Sequence, residues 1–160
     1  MRVAGIVRDS IVDGVGIRDV IFLQGCTHRC KGCHNKQTWD LNGGVHRFAG
    51  DVVKELSDSS NDITISGGEP MLQYYDLLSF LVVLKEYTNK KVWMYTGNTV
   101  DPTKAIYRKL ANYVDVIVDG KFVEELKDSN LLFRGSSNQR IIDLKQSVKQ
   151  RKIVLWEDNR

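Results

Sequence analysis

A chain of 160 residues, 42% hydrophobic and 27% charged, is long enough to bury one core and too short for two domains, so residues 1–160 are expected to fold as a single unit. Two prolines and no biased segment exclude long extended linkers, and the longest apolar run, residues 77–84 broken by Ser79, falls far short of the ~20 residues a membrane-spanning helix needs. The net charge of +3 is spread over 23 basic and 20 acidic side chains rather than gathered into a stripe, which leaves no footprint for nucleic acid.

The first residues lack the apolar core of a secretory signal, being broken by Arg8 and Asp9, so a cytoplasmic location is expected. Residues 3–7 and 18–24 read as strands. A helical pattern over 49–56 precedes a strand at 62–66, a helix over 71–87 precedes a strand at 91–95, and a helix over 102–112 precedes a strand at 114–118. Asp101 is the expected N-cap of the third helix, with Pro102 at its first position. Residues 139–142 and 152–156 complete the strand candidates. Strands separated by helices imply an α/β fold with right-handed parallel crossovers. So few short strands cannot close an eightfold barrel, and the expected architecture is a partial, open β/α barrel of about six parallel strands.

Four predicted strands end in polar, glycine-containing segments: Gly25-Cys26, Gly67-Gly68-Glu69-Pro70, Thr96-Gly97-Asn98 and Asp119-Gly120-Lys121. Each glycine alone is accounted for by a tight turn. In parallel α/β architectures, however, the loops after the carboxyl ends of the strands share one face, where ligands bind. Four such ends therefore define one candidate site.

All three cysteines of the chain stand in one Cys-x3-Cys-x2-Cys segment, Cys26, Cys30 and Cys33. Three thiolates hold three irons of an iron–sulfur cube and leave the fourth iron open to a chelating substrate. The absence of a fourth cysteine from the sequence excludes an ordinary four-cysteine cluster. The same spacing also admits a Cys3His zinc site using His28 or His34, so the spacing alone leaves two metals open.

The cysteine segment together with Gly67-Gly68-Glu69-Pro70 resembles the radical S-adenosylmethionine superfamily. Asp13-Gly14-Val15-Gly16-Ile17-Arg18, the run from Gln24 to Asn35, and Thr38-Trp39 resemble the front half of glycyl-radical-enzyme activases. Val118-Asp119-Gly120-Lys121-Phe122 and Leu132 to Arg140 resemble the activators of anaerobic ribonucleoside-triphosphate reductases. The resemblance spans residues 5–145 and implies a [4Fe-4S] cluster on the three cysteines whose fourth iron binds the methionine end of S-adenosylmethionine. Reduction would split that cofactor into methionine and a 5'-deoxyadenosyl radical, which takes a hydrogen from one glycine of the large reductase subunit. A low-potential electron donor of unassigned identity is implied as well.

Site roles follow from the same resemblance. The backbones of Gly67 and Gly68 meet the methionine amino group, where a missing side chain permits close approach, and Glu69 offers an acceptor for the ammonium. Gly32 stands where many relatives carry an aromatic residue; the backbone of Gly32, Cys33 and His34 borders the adenine instead. Thr96, Asp119 and Lys121 are candidates for the ribose or the methionine carboxylate. Singly, each of these three reads as a solvated loop residue, and their shared face is what joins them. Asp13 reads either as a guide for the incoming glycine or as half of an Asp-Gly turn, and Trp39 and Trp93 read as packing residues. An activase for another glycyl radical enzyme, or a non-catalytic zinc or iron–sulfur module, remains the alternative.

Overall fold

The computed structural model describes residues 1–158. In chain order its strands are β1 (Arg2–Ser10), β2 (Arg18–Leu23), β3 (Val45–His46), β4 (Asp62–Gly67), β5 (Val92–Tyr95), β6 (Val116–Asp119) and β7 (Arg140–Asp143). The helices are α1 (Ala49–Leu56), α2 (Tyr74–Tyr87), α3 (Ala105–Leu110) and α4 (Leu144–Gln150). Among the described residues one sheet forms, in the order β3-β1-β2-β4-β5-β6-β7, and it does not close.

The expectation of about six parallel strands is corrected to four. β2, β4, β5 and β6 run parallel, whereas β1 pairs antiparallel with β2 and β3, and β7 antiparallel with β6. The cause lies in the connections. A parallel pair needs a crossover, usually helical, of a dozen residues or more. Residues 11–17 are too short to provide one, and β6 leads to β7 through a segment whose only helical piece is the turn Glu124–Leu126.

Two helix boundaries also differ. Residues 71–87 divide into a 3-10 turn, Pro70–Gln73, and α2. The third helix begins only at Ala105, after Lys104, because the Asp101 carboxylate accepts from the N–H and the hydroxyl of Thr103 and closes a turn there instead of capping the helix. Residues 152–156 form no strand; Leu155 makes a single bridge to Ile142.

Strand alternation gives the sheet two unlike faces. Ile21, Leu23, Ile63, Ile65, Val92, Met94 and Ile117 pack with α1, α2 and α3 in the main core. The opposite face carries Arg18, Thr64, Trp93, Tyr95, Val116 and Val118 and is covered by loops rather than helices. Arg18, nearly buried, donates to Thr64 Oγ1 at 2.7 Å and to the Val15 carbonyl at 2.9 Å. Its guanidinium lies over the Trp93 ring at 5.6 Å. Thr64 in turn donates to the Asp13 carbonyl at 2.7 Å, and the Tyr95 hydroxyl donates to the Phe133 carbonyl at 2.8 Å. Those bonds hold the segments before β2 and before β7 onto the helix-free face.

At the opposite end from the cysteines, buried Asp19 ties β1 and β2 to the segment entering β4. Burial pushes its carboxyl up, but donors from Asn61, Ser59, Arg8 and the Asp9 N–H outweigh that and hold it below the usual 3.8. A carboxyl depressed by folding adds stability that is complete above the unfolded value and is lost as pH falls through the folded one. The urea midpoint is therefore expected to fall as pH drops below about 3.8. Asp19→Asn should be less stable than the parent by about 1–3 kcal/mol at neutral pH, because buried donors lose their acceptor, and its acid slope should be shallower. An unchanged slope in the variant would contradict this role for Asp19.

Candidate metal centre

The parallel topology brings the four glycine-containing strand ends into one pocket. Cys26, Cys30 and Cys33 line it from the segment after β2, Gly67 and Gly68 from the end of β4, Thr96 and Gly97 after β5, and Gly120 and Lys121 after β6. The pocket encloses about 160 Å³. Asn35, Ser66 and Tyr95 also line an adjoining cleft of about 520 Å³, bounded by Ile11 to Asp13 and by residues near Arg134.

The cysteine segment is shaped by its own hydrogen bonds. Gly25, at φ +100°, turns the chain out of β2. The Gly25 N–H then donates to Thr38 O at 2.7 Å and the Cys26 N–H to Trp39 O at 3.2 Å, closing the segment at its base. Cys33 N–H to Cys30 O at 3.1 Å makes the inner turn, with Arg29 and Gly32 in left-handed conformations. All three thiols are free; Cys26 is 9% exposed and the other two are half-buried.

Burial pushes the Cys26 thiol up, against hydrogen bonds from the backbone N–H groups of His28 and Arg29; nearby Glu69 and Cys30 push it further up. The Asn35 N–H donates to Cys33 Sγ at 3.4 Å. Donors aimed at sulfur are what a thiolate ligand requires. Among the described residues no three metal-ligating side chains gather around one ion-sized point. A single zinc draws its sulfur ligands to ~2.3 Å from one centre, whereas thiolates on separate irons of a cube need not converge so closely. Of the two histidines of the zinc alternative, His28 is engaged through Nε2, 2.9 Å from Glu69, and the exposed His34 ring lies 6.0 Å from Phe122, at the adjoining cleft. The donor set fits a three-thiolate iron–sulfur cluster better than Cys3His zinc.

Several expected site residues already have partners within the chain. Glu69, only 2% exposed, was expected to accept from a ligand ammonium; its carboxylate already accepts from Thr96 Oγ1, Met71 N, Gly97 N and His28 Nε2. The Asp119 oxygens accept from the Arg140 guanidinium and the Val100 N–H, and so hold β6 to β7 from behind the pocket. Thr96 lines the pocket, but its hydroxyl is given to Glu69. Lys121 lines it too, with its carbonyl held by Asn138 at 2.8 Å. Gly32, at φ +75°, packs against Glu124, which pairs with Lys31 at 3.0 Å.

Gly67 and Gly68 are needed by the protein's own backbone. A Cβ on Gly67 would overlap Leu23, and one on Gly68 would overlap the Gly25 carbonyl. The Gly68 N–H donates to Leu23 O and the Glu69 N–H to Gly25 O, both at 2.8 Å. The missing side chains admit the base of the cysteine segment. Sequence reasoning did not find His28 as a structural partner, nor Ser66, Tyr95 and Phe122 as pocket walls. Gly97, among the strand-end glycines, was the one available signal, since its place beside the imidazole requires the absence of a side chain.

The model of a family described as a 4Fe-4S single cluster domain matches residues 12–142. The anaerobic ribonucleoside-triphosphate reductase-activating protein of Salmonella typhi is 38% identical over 145 residues, covering 85% of this chain and 94% of that one. Its counterpart in Escherichia coli is 36% identical over 145 residues with the same coverage. That of Vibrio cholerae is 37% identical over 142 residues, 82% of this chain and 91% of that one. Agreement on this scale, together with three cysteines at the meeting point of four strand ends, means that the chain belongs to the family of anaerobic ribonucleoside-triphosphate reductase-activating proteins, with a 4Fe-4S single cluster domain.

Proposed function

We propose that this protein is a radical S-adenosylmethionine activase that generates the glycyl radical of an anaerobic ribonucleoside-triphosphate reductase. The observation that carries the reading is the pocket itself: three free thiols from one segment, no fourth cysteine in the sequence, and the ends of all four parallel strands around them. A bound [4Fe-4S] cluster, held by Cys26, Cys30 and Cys33, supplies an open iron and the electron that cleaves S-adenosylmethionine.

The chain's own residues bind, orient and shield. Gly67, Gly68, Thr96 and Lys121 form the wall along which the cofactor lies, with the backbone around Gly32, Cys33 and His34 on the adenine side. Glu69 and Asp119 support that wall from behind. The adjoining cleft, which shares Asn35, Ser66 and Tyr95 with the pocket, gives the target glycine of the large reductase subunit its approach, past Asp13 and Arg134. Glycine suits this target because its backbone enters a tight site unobstructed. An external low-potential donor supplies the electron, and free thiols of this kind suit the reducing cytoplasm.

Anaerobic reconstitution with iron and sulfide should give about four irons per chain, and adding S-adenosylmethionine should change the paramagnetic signal of the reduced cluster. Incubation with the reductase encoded alongside should then produce a glycyl radical. A protein that takes up zinc and ignores the cofactor would overturn the proposal.

A further inference from the structure

One imidazole in the cysteine segment is left over from the ligand chemistry. His28 lies between Cys26 and Cys30 with its side chain 15% exposed, and its Nε2 stands 2.9 Å from Oε2 of Glu69. The same oxygen accepts the Gly97 N–H at 2.7 Å. The other oxygen accepts the Thr96 hydroxyl at 2.7 Å and the Met71 N–H at 3.0 Å. One buried carboxylate thus joins the segment after β2, the turn after β4 and the turn after β5. Packing agrees with the hydrogen bonds, because a Cβ on Gly97 would stand 2.5 Å from the His28 ring.

We propose that His28 and Glu69 are positioning residues that clamp the cluster-bearing segment to the ends of β4 and β5, with neither acting as a cluster or cofactor ligand. The proposal rests on the reading that the three cysteines hold the cluster. A carboxylate offers about four lone-pair sites; Thr96, Met71 and Gly97 donate to three of them, and His28 Nε2 lies within hydrogen-bond reach of the same group. Glutamine at position 69 would turn one acceptor into an NH2 group facing donors. Thr96 and Gly97 line the pocket while hanging from the same carboxylate, so loosening the clamp displaces the cofactor wall together with the cysteines. Cofactor affinity is expected to suffer more than turnover of the bound cofactor.

The test uses the full chain as His28→Phe, His28→Gln and Glu69→Gln. Hydrogen–deuterium exchange over residues 26–33 of the metal-free proteins reads the clamp directly, and the cluster's paramagnetic response reads the dissociation constant for S-adenosylmethionine in the reconstituted ones. His28→Phe should keep the parent iron content, exchange faster across the segment, and bind the cofactor more weakly, by roughly the 10–100-fold that loss of an outer-sphere partner costs a metal site in affinity or activity. His28→Gln restores a donor and should recover most of both. Glu69→Gln should match His28→Phe or exceed it; if it fails to fold, the two His28 variants decide. Parent-like exchange and affinity in His28→Phe would overturn the proposal. So would a folded His28→Phe that takes up no iron, since His28 would then be a ligand. If the unaltered protein takes zinc and ignores the cofactor, the cluster reading fails, while the exchange experiment on metal-free protein still decides the clamp.

Discussion

If the protein acts as proposed, alanine at any one of Cys26, Cys30 or Cys33 should abolish reductive cleavage of S-adenosylmethionine while leaving the fold in place. The two halves of this expected result have separate causes. On the proposed reading each thiol would hold one corner of the cluster, and no other cysteine in the 160 residues is available to substitute. The loss should therefore exceed the ~10–100-fold that removal of an outer-sphere partner costs a metal site. The fold survives because the segment is closed by the backbone bonds of Gly25 and Cys26 to Thr38 and Trp39, which do not involve sulfur. Removing one sulfur atom costs at most about 1 kcal/mol of burial, and most at Cys26, the buried member of the three. Production of 5'-deoxyadenosine, iron content and thermal unfolding measured on the same samples separate the two halves. Full activity in any one variant would contradict the ligand assignment.

How far the sequence reaches depends on whether a signal is local. The strands expected at 18–24, 62–66, 91–95 and 114–118 match β2, β4, β5 and β6, since strands covered on both faces read as continuous apolar runs. Direction is not written in such runs. Residues 3–7 and 139–142 look the same parallel or antiparallel, and only the missing helical crossover decides between them. β3, two exposed residues, has no pattern at all. α4 carries few apolar side chains and starts from an Asp143 cap whose carboxylate accepts the Gln146 N–H, an unobtrusive signal beside the apolar run at 152–156. That run looked like a strand because Trp156 packs on Trp93, 5.2 Å between ring centres, an apolar requirement met without pairing.

The site divides in the same way. The cysteine spacing and the strand-end glycines are local chemistry and could be read directly. Which partner a buried carboxylate finds is tertiary: Glu69 and Asp119 sit at strand ends as expected, yet His28 and Arg140, which claim their oxygens, come from other parts of the chain. Those partners are the ground for proposing supporting roles for both residues. A glycine-rich motif that suggests room for a ligand is here packed on one side by the chain itself, while Gly67 and Gly68 still line the pocket beside Thr96 and Lys121.

That reassignment leads to the second large expected effect. Gly68→Ala should destabilise the protein and disable the cluster site together. The added methyl would meet the Gly25 carbonyl and backbone, not the free end of a side chain, so nothing nearby can swing away. Relief requires parting β4 from the end of β2, which lengthens the bonds from Gly68 N to Leu23 O and from Glu69 N to Gly25 O, both 2.8 Å at present. Overpacking of this kind costs ~1–3 kcal/mol, and each weakened bond about 1 kcal/mol more. A loss of about 3 kcal/mol lowers Tm by roughly 6–12 °C in a chain of this size. Because Gly25 leads directly into Cys26, the displacement also moves the first thiol, and iron content should fall with Tm. Gly50→Ala supplies the control of opposite sign. Gly50 lies in the first turn of α1, a Cβ there meets nothing within 4 Å, and replacing it should stabilise by at most the roughly 0.5–1 kcal/mol of a mid-helix glycine. A Gly68→Ala protein with the parent's Tm and iron content would mean that β2 and β4 are not held at this approach.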